Sequence, residues 1–342
     1  QAEDLLRSRL APLLTEGAEQ QAAWLGRLLT GSMEDLVRQW LQSLGSERLL
    51  FYETFQYESL RRASEIAFGR RELPQYHLQE AQFLISFGAD FLETWRSNVE
   101  FTSDFHQMRS ARPTDAPDNF VYIGSRLSLT GSNADWWIPL RPGTEAQLAL
   151  SIAHSIIEQE LAVDRMANQE WISSLLAPYS PESTRAATGV EVSTVNELAR
   201  RLCENSPSLA LGGGISSSGE KAVSLELAVL LLNALAGNVG RTLSFGVGSA
   251  LDQLASYQEI LDLAQAMNKG KIQILFLHHG DPVFTLPTSS GFTQALENVP
   301  FVVSFSSLPD QTTAHADLVL PDHHFLESWG DHSPRSGVMT IQ

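Results

Sequence analysis

The sequence predicts an α/β protein built on open sheets. Short apolar runs of strand length alternate with stretches of helical period, and glycine recurs where the runs give way to loops. At roughly 150 residues per domain, a chain of 342 residues has room for about two.

Taken in order, residues 4–14 and 33–44 carry apolar side chains at helical spacing, and the second stretch, MEDLVRQWLQSL, stops at Gly45. LLFYETF (49–55) predicts a strand, residues 58–68 a helix closed by Gly69, and AQFLISFG (81–88) a second strand. NFVYIGS (119–125) and DWWIPL (135–140) read as two more strands. Pro142 and Gly143 then break the chain before a helix with Thr144 as its N-cap and Gln147 in the capping-box position. From about Leu161 to Ser206 the pattern predicts helices separated by the loop LAPYSPEST. A second block follows: strand SLALGG, a glycine-serine loop to Gly219, helix 222–236, turn GNVG, strand 271–282, helix 291–298, and strands 301–307 and 316–323. The pattern gives two α/β units, the first 45 residues going with the second, and no internal repeat.

Forty acidic against twenty-three basic residues leave a net charge of -17, which repels phosphate backbones and anionic lipid headgroups. No nucleic-acid partner is expected, and no basic patch to hold a membrane. The single cysteine, Cys203, excludes an internal disulfide, a zinc ribbon or an iron-sulfur cluster held by this segment alone. Its setting in the amphipathic stretch ELARRLCEN predicts a small buried hydrophobe rather than a reactive thiol. The longest apolar run, Ala222 to Ala236, is too short to span a bilayer and carries Glu226 and Asn233, so it predicts a buried helix. The chain opens at Gln1 and stops at Ile341-Gln342 inside a predicted strand, and is therefore expected to be a piece of a longer protein.

In open α/β sheets ligands gather beyond the carboxyl ends of the strands. Those ends read SFGADFLETW, GSRLSLTGSNAD, RPGTE, LGGGISSSG, HHGDP and SFSSLPDQT. LGGGISSSG supplies backbone N–H groups and hydroxyls suited to an anion such as a phosphate, or alternatively a tight turn packed on a neighbouring strand. It matches neither GxGxxG nor GxxxxGK[ST]. Six of the nine histidines, His278, His279, His315, His323, His324 and His332, lie among Asp281, Asp317, Asp322, Glu327 and Asp331. Imidazole with carboxylate could hold a zinc-type ion and make a metal-dependent hydrolase, but HExxH and similar spacings are absent and hydrogen-bonded loop histidines are the default. Nucleophile motifs such as GxSxG and SxxK are also absent, and Trp136-Trp137 is assigned to core or interface.

Taken together, ISFGADFLETW, YIGSRLSLTGSNADWWIPLRPGTEAQLALSIAHSIIE, LGGGISSSG, LNALAGNVG, FLHHGDPVFTLP and VVSFSSLPDQTTAHADLVLPDHHFLESWGD resemble the molybdopterin oxidoreductase superfamily. FGADFLETW and DLVLPDHHFLESWGD look most like the molybdopterin-like, iron-sulfur subunit of alternative complex III, with the subunit of quinone reductase complexes a near neighbour. The resemblance implies nested α/β domains, residues 46–205 inserted into one formed by 1–45 and 206–342. It implies a pterin guanine dinucleotide pocket, here vestigial, at Gly88, Ala89, Asp90, Ser125, Arg126, Gly143, Thr144 and Glu145 on one side. Gly212, Gly214, Gly280, Asp281, Ser304 and Ser306 would line the other. Where catalytic relatives offer the molybdenum a Cys, selenocysteine, Ser or Asp, this chain has Glu53-Thr54-Phe55-Gln56-Tyr57. Ser216 to Ser218 stand where the family often has Gln or Asn, Glu145 replaces its Asp, and the cluster-binding cysteines are missing. The implied protein is a scaffold without catalytic residues, metal or cofactor of its own, any 4Fe-4S cluster lying elsewhere in the parent chain. Its partners would be other subunits of a membrane-bound respiratory complex on the periplasmic face of a bacterial inner membrane. A catalytic bis-molybdopterin guanine dinucleotide oxidoreductase is the alternative.

Overall fold

A computed structural model describes residues 1–14, 20–110, 118–163 and 169–342. The chain divides into two compact units, one of residues 1–56 with 247–342 and the other of residues 57–246. Both are α/β, as the alternation predicts.

The discontinuous unit holds a five-stranded sheet in the order β11-β10-β9-β1-β2: β1 (Ala22–Gly26), β2 (Leu49–Phe51), β9 (Ile274–His278), β10 (Phe301–Ser304) and β11 (Leu318–Val319). Every pair is parallel. The middle strands β1, β9 and β10 are buried on both faces, which is why β9 and β10 read as continuous apolar runs rather than alternating ones. One face packs on the helices Tyr257–Asn268 and Phe292–Leu296 through Ile260, Leu263, Met267 and Phe292. On the other face, Val37 and Leu41 of helix Ser32–Ser43 cover Trp24 and Phe276. A hairpin, β12 (Asp331–Arg335) with β13 (Val338–Ile341), ends the chain.

The contiguous unit holds the parallel sheet β6-β5-β4-β7, made of β4 (Phe83–Phe87), β5 (Phe120–Gly124), β6 (Trp136–Pro139) and β7 (Ser208–Gly212). A two-stranded antiparallel pair, β3 (Gln75–Tyr76) with β8 (Leu243–Ser244), lies beside it in the chain. Helices Glu145–Glu158, Val192–Glu204 and Ala222–Leu235 bury Ile152, Leu198, Leu202, Val229 and Leu232 with Phe83, Ile85 and Val121.

Three expectations need correction, and one strand lies outside those the sequence predicts. Residues 46–56 and 206–246 belong to the opposite units from those the sequence suggested: β2 pairs with β1, and β7 with β4. The free edge of β7 is closed by the helix that follows it. The Asn233 amide accepts from Ala210 N at 2.9 Å and donates to Ala210 O at 2.8 Å, replacing a neighbouring strand. Thr144 does not cap its helix; its hydroxyl donates to Arg141 O at 2.7 Å. LAPYSPEST is not all loop, because Ser180 caps and Pro181 opens a helix, Pro181–Thr188. Strand β1, which lies between β9 and the edge strand β2, is not among the strands the sequence predicts.

Candidate functional site

In the contiguous unit the loop after β4 carries Gly88, Ala89 and Asp90. Asp90 is buried and its carboxylate is occupied: Tyr122 Oη donates at 2.9 Å, Arg126 Nη2 at 3.0 Å, and the Ser128 hydroxyl also donates. Burial first, then the Asp90 carboxylate, pushes the Tyr122 phenol up to about 12, so it stays a donor. Arg126 is exposed, with Glu93 Oε2 also 3.6 Å away. Ser125 is exposed beside it.

The glycines after β7 face protein atoms. A Cβ at Gly212 would come within 2.7 Å of Glu226 Oε2, one at Gly213 would strike the Trp95 indole nitrogen, and one at Gly214 would strike the Gly88 carbonyl. The loop is thus the tight, packed turn that was the alternative to an anion cradle. Glu226, on the helix behind it, is fully buried; one oxygen accepts from the Ser217 hydroxyl and the other has no hydrogen-bond partner among the described residues. Burial pushes its carboxyl up to about 7, offset in part by the Ser217 hydrogen bond and the Arg96 charge.

Gly143, Thr144 and Glu145 sit at the start of helix Glu145–Glu158. Gly143 has φ +78 and open space beside it, and its carbonyl accepts from Lys221 Nζ at 3.3 Å. Gly143 and Glu145, with Ser125 and Ser218, border a cleft of about 320 Å³. Glu145 is buried at its edge.

In the discontinuous unit, Asp281 opens the short helix Pro282–Thr285. It accepts from Thr312 N at 3.1 Å and Thr312 Oγ1 at 2.5 Å. Ser304 Oγ accepts from Ser306 N at 3.2 Å, while Ser306 Oγ donates to Leu308 O at 2.8 Å and Asp310 Oδ2 at 2.9 Å. Gly280 makes only ordinary contacts. Where catalytic chemistry would need a free ligand, Glu53 Oε1 accepts from Leu28 N at 3.1 Å and Arg27 Nε at 3.3 Å. Of the 53–57 residues assigned to that position, Glu53 lies in this unit and Tyr57 in the other, where Tyr57 Oη accepts from Arg96 N.

The histidine-rich segment separates into distinct roles. Asp317 accepts from Val302 N at 2.8 Å and fixes β10. Asp331 accepts from Ser32 N at 3.0 Å and caps helix Ser32–Ser43; the Ser32 hydroxyl and amide hold its carboxyl below the usual range. His315 and Glu327 sit in one-turn helices, and Glu327 N donates to His324 O at 2.8 Å. His278, His279 and Asp322 converge, with His323, His324 and His332 bordering the same cleft of about 650 Å³. Burial, then the neighbouring His279, brings the His278 imidazole down to about 4, so it is neutral at pH 7. Burial pushes Asp322 upward, but the His323 N–H and both imidazoles hold it below the carboxylate range. Cys203 is buried, and burial pushes its thiol up to about 12, leaving it the inert core residue expected.

The sequence profile of the molybdopterin oxidoreductase family matches residues 8–340. The chain belongs to this family. Among relatives in the molybdopterin oxidoreductase family, the menaquinone reductase molybdopterin-binding-like subunit of Nitratidesulfovibrio vulgaris is 30% identical over 88% of this chain and 45% of its own length. The molybdopterin-containing subunit of thiosulfate reductase from Salmonella typhimurium is 21% identical over 76% and 40%. Acetylene hydratase from Pelobacter acetylenicus shares the fold, with a TM-score of 0.74 at 17% identity over 97% of this chain and 53% of its own. The chain thus spans about half the length of these relatives. Among the described residues no helix is long and apolar enough to cross a membrane.

Proposed function

We propose that this chain is part of a molybdopterin-oxidoreductase-like subunit of a respiratory quinone or quinol oxidoreductase complex, of the alternative complex III kind, and that it serves as a scaffold without its own molybdenum centre. The observation that carries the reading is the filled loops. The indole of Trp95, the carbonyl of Gly88 and the carboxylate of Glu226 occupy the space beside the three glycines, and Asp90 and Glu53 are held by protein donors. Asp90, which would face a pterin, and Glu53, which would face the metal, thus have protein partners, and 53–57 lacks a thiolate. They do not fit a molybdopterin centre.

The partners of such a scaffold are the electron-carrying parts of its parent chain and the other subunits of the complex, on the periplasmic face of the inner membrane. The menaquinone reductase relative, itself described as molybdopterin-binding-like, supports a place among quinone-linked complexes.

The test is metal analysis and pterin fluorescence on the full parent protein purified in its complex, where neither molybdenum nor tungsten nor pterin is expected. Stoichiometric molybdenum or tungsten would overturn the reading. It would favour a catalytic dinucleotide enzyme, to which the open cleft beside Gly143 gives its one point of support. Deleting residues 57–246 is expected to abolish assembly of the complex rather than slow its turnover.

A further inference from the structure

The histidine pair at the end of β9 has no part in the scaffold reading, and its geometry asks for an explanation. His278 Nε2 and His279 Nε2 both point at one oxygen, Asp322 Oδ2, at 3.4 and 3.3 Å. Good hydrogen bonds to a carboxylate are shorter, about 2.7–2.9 Å. Two ligands that each lie roughly 2.1 Å from a tetrahedral ion are about 3.4 Å apart, the spacing seen here. The three ligand atoms all lie within 4.8 Å of one another.

Three further features agree. His278 is 8% exposed, so packing holds its ring in place. His279 adopts φ +50, a left-handed conformation that a β-substituted residue rarely takes, and this sets its ring edge-on to His278 at 4.2 Å. The cluster also borders a cleft that leaves room for a fourth, water ligand.

We propose that His278, His279 and Asp322 form a zinc-type divalent metal site with one coordination position open to the cleft. Imidazole and carboxylate are suitable zinc donors, and the tetrahedral spacing favours zinc over an octahedral ion. The site would clamp the loop after β9 to the segment after β11. It is independent of any pterin, so its failure would leave the proposed function untouched.

The test uses the whole chain without an affinity tag, stripped by chelator and titrated calorimetrically with Zn²⁺ alone. One equivalent should bind, and Co²⁺ in its place should give the visible spectrum of a four-coordinate ion. Asp322→Asn should weaken zinc binding at least tenfold. His279→Gly should do the same while relieving the left-handed backbone, so this variant keeps its fold by circular dichroism and isolates the lost ligand. The triple variant His323→Ala, His324→Ala, His332→Ala should bind as the parent does. No saturable binding by the parent chain, or binding lost in the triple variant and kept in His279→Gly, would overturn the proposal.

Discussion

Asp90 shows how one buried side chain can organise a strand end. Its carboxylate accepts from Tyr122, Ser128 and Arg126, and its backbone carbonyl accepts from the amides of Glu93, Thr94 and Trp95. Asp90→Ala would leave a buried phenol and hydroxyl unpaired, so it should cost about 3 kcal/mol of stability, read from the urea midpoint. Asp90→Asn, which keeps an acceptor, should cost less. Glu226 carries a different signature. Its folded-state carboxyl, at about 7, lies above the ordinary 4.5, so the native state holds a proton that the unfolded state has released. Stability from this group is complete below the ordinary value and is lost as pH rises through about 7, on the order of 3 kcal/mol in all. Glu226→Gln should therefore flatten the fall in stability between pH 5 and pH 8, and should be the more stable protein at pH 8. An unchanged slope in urea titrations at the two pH values would count against it.

At the scale of elements, the two polar residues in the apolar helix Ala222–Leu235 are the informative ones. Glu226 sits under the glycine turn, and Asn233 supplies the sheet edge that β7 lacks, with Asn238 Nδ2 donating to Asn233 Oδ1 at 3.0 Å. Asn233→Leu fits the apolar surroundings but strips both partners from Ala210, so it should destabilise by about 2–4 kcal/mol and expose the β7 amides to hydrogen exchange. The sequence made most strands legible, because parallel strands covered on both faces are unbroken apolar runs. It hid β1, AAWLG, whose alanines and glycine let Trp24 lie 6.2 Å from Phe276 and 5.4 Å from His278 but give no run of large apolar residues. Helix Tyr257–Asn268 could have been found, since Ser256 and Glu259 form a capping box. The candidate residues do lie at or after the carboxyl ends of strands. The strand-end rule did not show that Asp90, Asp281 and Glu53 are held by protein donors, because occupancy depends on partners far along the chain. Nor could spacing alone pick Asp322, 44 residues from His278, out of five acidic candidates.

For the whole molecule, the topology decides which pieces can fold. Residues 57–246 are contiguous and contain a complete four-stranded sheet and its helices. The other unit is assembled from both ends of the chain: β1 lies between β2 and β9, and the first 56 residues also bring the helix that covers Trp24 and Phe276. Expressed alone, 57–246 should fold and unfold cooperatively in urea. Expressed alone, 247–342 should not, because β9 would lose β1, one of its two parallel neighbours, and Phe276 and Phe305 would lose the indole stacked on them at 6.2 and 5.4 Å. Adding residues 1–56 in trans should restore dispersed amide resonances to 247–342. Both pieces are acidic, 8 acidic against 5 basic residues in 1–56 and 10 against 3 in 247–342, so like charge opposes that association and it should strengthen as salt screens them. Native-like dispersion from 247–342 without its partner segment would show that β1 is dispensable, contrary to its place between β9 and β2.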